Sequence, residues 1–236
     1  MSALLRAELL KVRTVRTLWW IGLAMLLIIL LAAISVALSS AQAATAADDR
    51  SIARISAVAV VFALLSGIVV FGSEGSSGTI TQTLLVAPVR ERVLLAKAGF
   101  AVAVGFALAL LAEVLTLLVT VPGVSLDVHN ARLVLVGVLV GGAIGGAAGV
   151  GLGAVFHRQG PGIAFVLVWL LVAENIFAVA FGDRIKYFPG HVFAAAVSGE
   201  HASEALVGTW PGIVGASLYA AAFLVAGTVA LARRDI

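Results

Sequence analysis

The chain is 236 residues long, 62% hydrophobic and only 11% charged, which leaves far more apolar surface than one water-surrounded core of this size can hide. Its formal charge of +3 does not make it a nucleic-acid binder, because Lys and Arg flank apolar runs instead of gathering on one solvated face. The absence of cysteine excludes a disulfide framework, a thiolate metal site and a cysteine nucleophile, and the richness in Ala, Gly and Val fits a bacterial gene of high GC content.

Residues 3–20 set Leu4, Leu5, Leu9, Val12 and Val15 among Arg6, Lys11, Arg13 and Arg16, a spacing that suits a helix lying in the cytoplasmic interface of a membrane. A simple topogenic anchor has the same composition, and this segment alone does not separate the two. A crossing helix needs roughly 20 consecutive apolar residues to traverse about 30 Å of hydrocarbon. Six runs qualify: 18–38, 53–71, 93–121, 133–156, 163–181 and 212–232. The first is longer than the roughly 7 to 15 apolar residues of a secretory signal, so cleavage near Ala41-Gln42-Ala43 is the weaker reading. None alternates with period 2, so helices are expected and barrel strands are not.

The expected fold is therefore all-α and polytopic: an interfacial segment 1–17, then one membrane domain over 18–236 with no linker or internal repeat. Arg6, Lys11, Arg13, Arg16, Arg90, Arg92, Lys97, Arg158, Arg233 and Arg234 fall on one side of the six crossings, while Arg50, Arg54, Arg132, Arg184 and Lys186 fall on the other. Since cytoplasmic segments retain Lys and Arg, both termini are expected in the cytoplasm and the protein in the cell membrane. Trp19, Trp20 and Trp210 stand where interfacial anchors belong, and Trp169, inside a run, is expected to pack.

The link between the second and third runs, 74–92, is the most informative segment. Ser and Gly give way to a short apolar stretch that Pro88 stops, and the basic residues Arg90, Arg92 and Lys97 follow. Ile80, Leu84 and Leu85 share one helical face, a knob for a partner's groove, although an ordinary loop with a surface helix has the same chemistry. Glu74, Gly78, Thr79, the pair Leu84 and Leu85, Pro88, Arg90 and Lys97 together resemble the permease subunits of type-2 ABC exporters. That resemblance implies that the link is a coupling helix resting on a separate ATP-binding subunit, and that 1–17 is the family's connecting helix. It also implies a second permease copy or paralogue, with ATP and magnesium held by the partner subunit and no cofactor in this chain.

Glu113 lies inside the third run, on one helical face with Thr116 and Thr120, and Glu174 lies inside the fifth beside Asn175. An ionised acid near the bilayer centre costs about 2.5 to 3.5 kcal/mol even on the lenient insertion scale, so both should face protein or water. They are candidates for a translocation path; the plainer reading is that each fixes helix packing. The fourth run carries Gly141, Gly145, Gly149 and Gly153 at four-residue intervals, a small-residue face that lets another helix approach closely.

Between the last two runs, 183–211 is too long for a tight connection, and its apolar piece 192–197 is too short to span, so it should be re-entrant or interfacial. His191 and His201 lie there without a carboxylate pattern and are expected to be solvated, not metal ligands.

No G-x-x-x-x-G-K-[ST] loop is present, nor H-E-x-x-H or G-x-S-x-G, so this chain is not expected to be an enzyme and ATP must be hydrolysed elsewhere. The resulting expectation is an export permease for a drug, antimicrobial peptide or lipid-like substrate. The competing one is an ion-coupled carrier using Glu113 and Glu174, for which the halves lack the matching Gly or Pro breaks of an inverted repeat.

Overall fold

Where no water is available to bond the backbone, an apolar run satisfies its N–H and C=O groups internally by forming a helix. The computed structural model describes residues 16–39, 46–77, 90–120, 128–199 and 206–233. Among them six helical segments are long and apolar enough to cross a membrane: Arg16–Leu38, Asp49–Ser76, Glu91–Thr120, Ala131–Phe156, Gln159–Tyr187 and Thr209–Ala232. The chain is a multi-pass membrane protein. The expected interfacial helix over 1–17 falls almost wholly outside the described residues, as do 78–89 of the link and His201.

The first crossing is α1 (Arg16–Ser39). The second is built from α2 (Ala46–Ala53), a 3₁₀ turn (Arg54–Ala57) and α3 (Val58–Ser77). Then come α4 (Arg90–Thr120) and α5 (Val128–Phe156). The fifth crossing is composite: α6 (Gln159–Val168), one π turn (Trp169–Ala173) and α7 (Glu174–Phe181), ending in a 3₁₀ turn (Gly182–Tyr187). The short α8 (Pro189–Ala196) precedes the last crossing, α9 (Thr209–Ala232).

The fifth crossing starts earlier than its apolar run because Pro161 falls in the first turn of α6, where a missing N–H removes no helical bond. The apolar piece expected at 192–197 is the body of α8, which is opened by Pro189 and buries Val192, Phe193, Ala195 and Ala196.

Helix α5 lies at the centre, against α3, α4 and α9. Its glycines serve different neighbours. A Cβ added at Gly145 would stand 3.0 Å from the Val60 carbonyl oxygen, and one at Gly153 2.9 Å from that of Ile68, so this face meets α3. Gly149 faces Leu64 of the same helix, while Gly141 is pressed by Val60 from α3 and by Val197 beyond α8. Gly142, one residue round, would place a Cβ 2.7 Å from the Gly105 oxygen of α4, and Gly151 would place one 2.6 Å from the Leu224 nitrogen of α9. In lipid, close backbone approach and dispersion replace the hydrophobic effect as the force between helices, and small residues on several faces allow it.

These pairings give direction. Val60, Leu64 and Ile68 meet residues of rising number in α5, so α3 and α5 are parallel; Gly105 and Ala101 meet Gly142 and Gly146, so α4 is antiparallel to both. The start of α4 and the end of α3 therefore share one end of the bundle, here the basic end. Facing outward, α1, α4, α7 and α9 present large apolar side chains such as Leu31, Leu118, Val179 and Leu218, each more than half exposed. These form the surface that lipid or another membrane protein covers. Trp19, Trp20 and Trp210 are exposed near helix ends, as interfacial anchors are.

Candidate functional site

A polar side chain inside the bundle must be paired or it stays as a penalty, so the buried polar groups mark where the apolar design is interrupted. Among the described residues the buried glutamates mark three stations. At the basic end, Lys97 Nζ donates to Glu74 Oε1 at 2.6 Å, with the side chains 1% and 6% exposed. Glu74 lies in the last turn of α3, where the helix dipole disfavours an anion, and the ammonium from α4 compensates. Glu74 thus points into the bundle. Of the other residues carried by the resemblance, Arg90 opens α4, and Gly78, Thr79, Leu84, Leu85 and Pro88 lie outside the described residues.

The same end of α3 abuts the turn between α5 and α6. His157 adopts φ 64°, and its carbonyl oxygen is set against Gly75. A Cβ at Gly72 would come within 2.7 Å of the Gln159 nitrogen. The Gly-Ser stretch at 72–77 is helical, not an unwound start of the link, with Ser76 Oγ donating back to the Gly72 oxygen at 2.9 Å. Its glycines serve contact, a use that composition alone does not distinguish from a turn.

In the last third of α4, away from Lys97, Glu113, Thr116 and Thr120 are all buried on its inward face. Each threonine hydroxyl donates to its own helix, Thr116 to the Ala112 oxygen and Thr120 to the Thr116 oxygen, both at 2.8 Å. Glu113 Oε1 has no hydrogen-bond partner among the described residues.

At the far end, Glu174 is buried and its carboxylate gathers three groups. Trp169 Nε1 donates to Oε1 at 2.7 Å, the Gly190 N–H donates to the same oxygen at 2.6 Å, and His191 Nδ1 lies 3.0 Å from Oε2. The π turn places Trp169 five residues before Glu174 with its indole N–H on the carboxylate. The Gly190 N–H belongs to the first turn of α8, so Glu174 caps that helix from outside and opposes its dipole. Gly190 gives the carboxylate its room: an added Cβ would sit 2.8 Å from the Glu174 carboxyl carbon and push that side chain off the helix end.

His191 is therefore not the solvated residue expected from its loop position; a carboxylate sixteen residues upstream of Gly190 folds back to meet it. Asn175, next to Glu174, points the other way, exposed on the outer face, and donates to the Leu171 oxygen at 2.9 Å. Two further ties were invisible in sequence: Arg54 forks onto the Ser198 oxygen at 2.9 and 2.7 Å, and Tyr219 donates to the Tyr187 oxygen at 2.7 Å. Together with Glu174 they fasten both ends of α8. Gly190→Ala should displace Glu174 and lower stability by about 1–3 kcal/mol, the range for overpacking, while Ala194→Ser on the exposed side of α8 should be near neutral. Thermal unfolding of both variants in detergent measures this.

Among the described residues no group of three or more His, Asp or Glu is placed to hold a metal. A family model described as "ABC-2 family transporter protein" matches residues 4–189. No curated protein matches the chain.

Proposed function

The chain belongs to the ABC-2 transporter family, the permeases of type-2 ABC exporters, and on that premise we propose that it is the permease subunit of an export complex driven by a separate ATP-binding subunit. The family match carries this reading: it runs through the link 74–92 and five of the six crossings. The sequence has no phosphate-binding loop of its own, which supports a partner that binds ATP and magnesium.

In this reading the basic end faces the cytoplasm of a bacterial cell, residues 1–17 form a connecting helix, and the link 74–92 rests on the ATPase. Glu74 acts indirectly: paired with Lys97, it makes the two helices that flank the link move as one. Gly72 and Gly75, seated on the His157 turn, pass that movement to α6. A cavity between two permeases would then alternate its exposure as the ATPases close and reopen. A second permease is supported by Asn175, a polar side chain exposed on an otherwise apolar face, where protein is a better neighbour than lipid. The substrate classes that suit a path of this kind are drugs, antimicrobial peptides and lipid-like amphiphiles.

Leu84→Asp and Arg90→Glu test the coupling. Both should abolish ATP-driven export from proteoliposomes holding the gently purified complex, with membrane insertion unchanged; full export by both variants would overturn the assignment. Glu74 is unsuited to this test, because reversing its charge also sets two cations against each other where it now pairs with Lys97.

One observation favours the ion-coupled alternative: Glu113 Oε1, a buried carboxylate oxygen with no hydrogen-bond partner among the described residues. Transport by the reconstituted chain alone, lost when an ion gradient is collapsed and with Glu113→Gln, would select that reading. Subunit composition by mass spectrometry would reveal the ATPase and the second permease directly.

A further inference from the structure

Behind α8 an open cleft of about 380 Å³ lies between α3, the α6 to π-turn segment, α8 and α9. Leu64, Val166, Leu170, Phe193 and Phe223 are typical of its wall, and Trp169 adds a ring face. The wall contains no charged or hydroxyl side chain, and the indole N–H of Trp169 is already bonded to Glu174. Such a space does not hold water, which needs 2–4 polar partners, and its volume falls in the ligand-sized range of roughly 300–1,000 Å³. It reaches the molecular surface at Phe165 and Ala194, both exposed. A hydrocarbon chain is the occupant that fits.

Apolarity alone does not decide which chain enters, because a lipid tail is already in an apolar solvent and gains only packing contacts. The head decides. Immediately before Pro189, which lines the cavity, the 3₁₀ turn Gly182–Tyr187 carries Arg184 and Lys186. Arg184 is exposed; Lys186 is half-buried and its ammonium lies over the Tyr187 ring, 5.7 Å from the centroid. Neither forms an ion pair among the described residues. Glu174 beneath Gly190 does not compete for them, since its oxygens are taken by Trp169, Gly190 and His191. The turn holds these two cations against one acid, Asp183, and a net positive turn next to an apolar cleft matches an amphiphile with an anionic head and one long tail.

We propose that the cavity behind α8 binds the hydrocarbon tail of an anionic amphiphile whose head is held by Lys186 and Arg184. This stands apart from coupling to an ATPase and is tested without one. The protein in phosphatidylcholine nanodiscs is irradiated with a palmitate bearing a diazirine in its chain, and the adducts are mapped by peptide mass spectrometry. Adducts should concentrate on α3, the α6 to π-turn segment and α8. Phosphatidylglycerol should compete them away where additional phosphatidylcholine does not.

Arg184→Glu and Lys186→Glu, both away from the packed core, should each reduce labelling at least about fivefold, since loss of one basic side chain near an anionic head accounts for that much and the new acid adds to it. Ala194→Leu at the mouth should reduce it while sparing thermal stability. Adducts spread evenly over α1 and α9, or cavity labelling indifferent to both charge reversals and to phosphatidylglycerol, would overturn the proposal. Repeating the labelling on the complex with its ATPase separates the sources of the amphiphile. Adducts that fall on adding ATP identify the bound chain as cargo, and adducts that persist identify it as a lipid of the surrounding bilayer; both are forms of the proposed site.

Discussion

Lys97→Met should lower the stability of the permease by about 3–5 kcal/mol, because it leaves the Glu74 carboxylate buried without the cation that offsets its desolvation. Glu74→Gln should also lose stability, because it removes the anion that faces the buried Lys97 ammonium. The double variant, Glu74→Gln with Lys97→Met, should recover most of the loss, since replacing both members of a buried pair removes the penalty along with the attraction. Unfolding followed in detergent micelles reads the three values, and strictly additive losses would show that the pair is not coupled. The double variant also separates stability from transport. If the pair serves to bind α3 and α4 into one lever, the double variant will be stable yet will hydrolyse ATP in its complex without matching export.

Gly75→Ala is expected to have the second largest effect, because its Cβ would be driven into the His157 carbonyl, backbone against backbone, with no side chain able to move aside. Gly72→Ala meets the Gln159 nitrogen in the same way. Each should lose about 1–3 kcal/mol, as overpacked sites do. Gly99→Ala is the control: it sits in α4 with nothing within 4 Å of an added Cβ, so helix propensity should stabilise it by up to about 1 kcal/mol. Equal behaviour of Gly75→Ala and Gly99→Ala in thermal unfolding would show that the turn at His157 does not rest on α3. In the exporter complex, Gly75→Ala should additionally weaken the response of α6 to the ATPase, measurable as a changed distance between spin labels on α6 and α3 when ATP is added.

Much of the membrane domain could be read from local pattern. Six apolar runs became six crossings because lipid forbids an unbonded backbone, a constraint that acts on each run separately. The close approach allowed by Gly141, Gly145, Gly149 and Gly153 was legible for a related reason: helical spacing alone puts them on one face. That Gly142, Gly146 and Gly151 serve two further neighbours was not, because a helix does not announce how many partners surround it. Intramembrane acids stood out as Glu113 and Glu174, yet their surroundings diverge, one oxygen without a hydrogen-bond partner among the described residues and the other carboxylate saturated. The π turn that sets Trp169 on Glu174 left no mark in the residue types around it.

The sequence by itself determined that this is a helical membrane protein with six crossings, which end of the bundle is basic, and the family to which it belongs, because hydropathy, charge and motif are properties of contiguous residues. Only the tertiary structure decided that Glu74 holds Lys97, that Glu174 gathers Gly190 and His191, that Arg54 secures α8, and that an apolar cavity lies behind it. Each joins residues far apart in the chain. Their partners are selected by helix direction and depth of packing, which no local window of sequence contains.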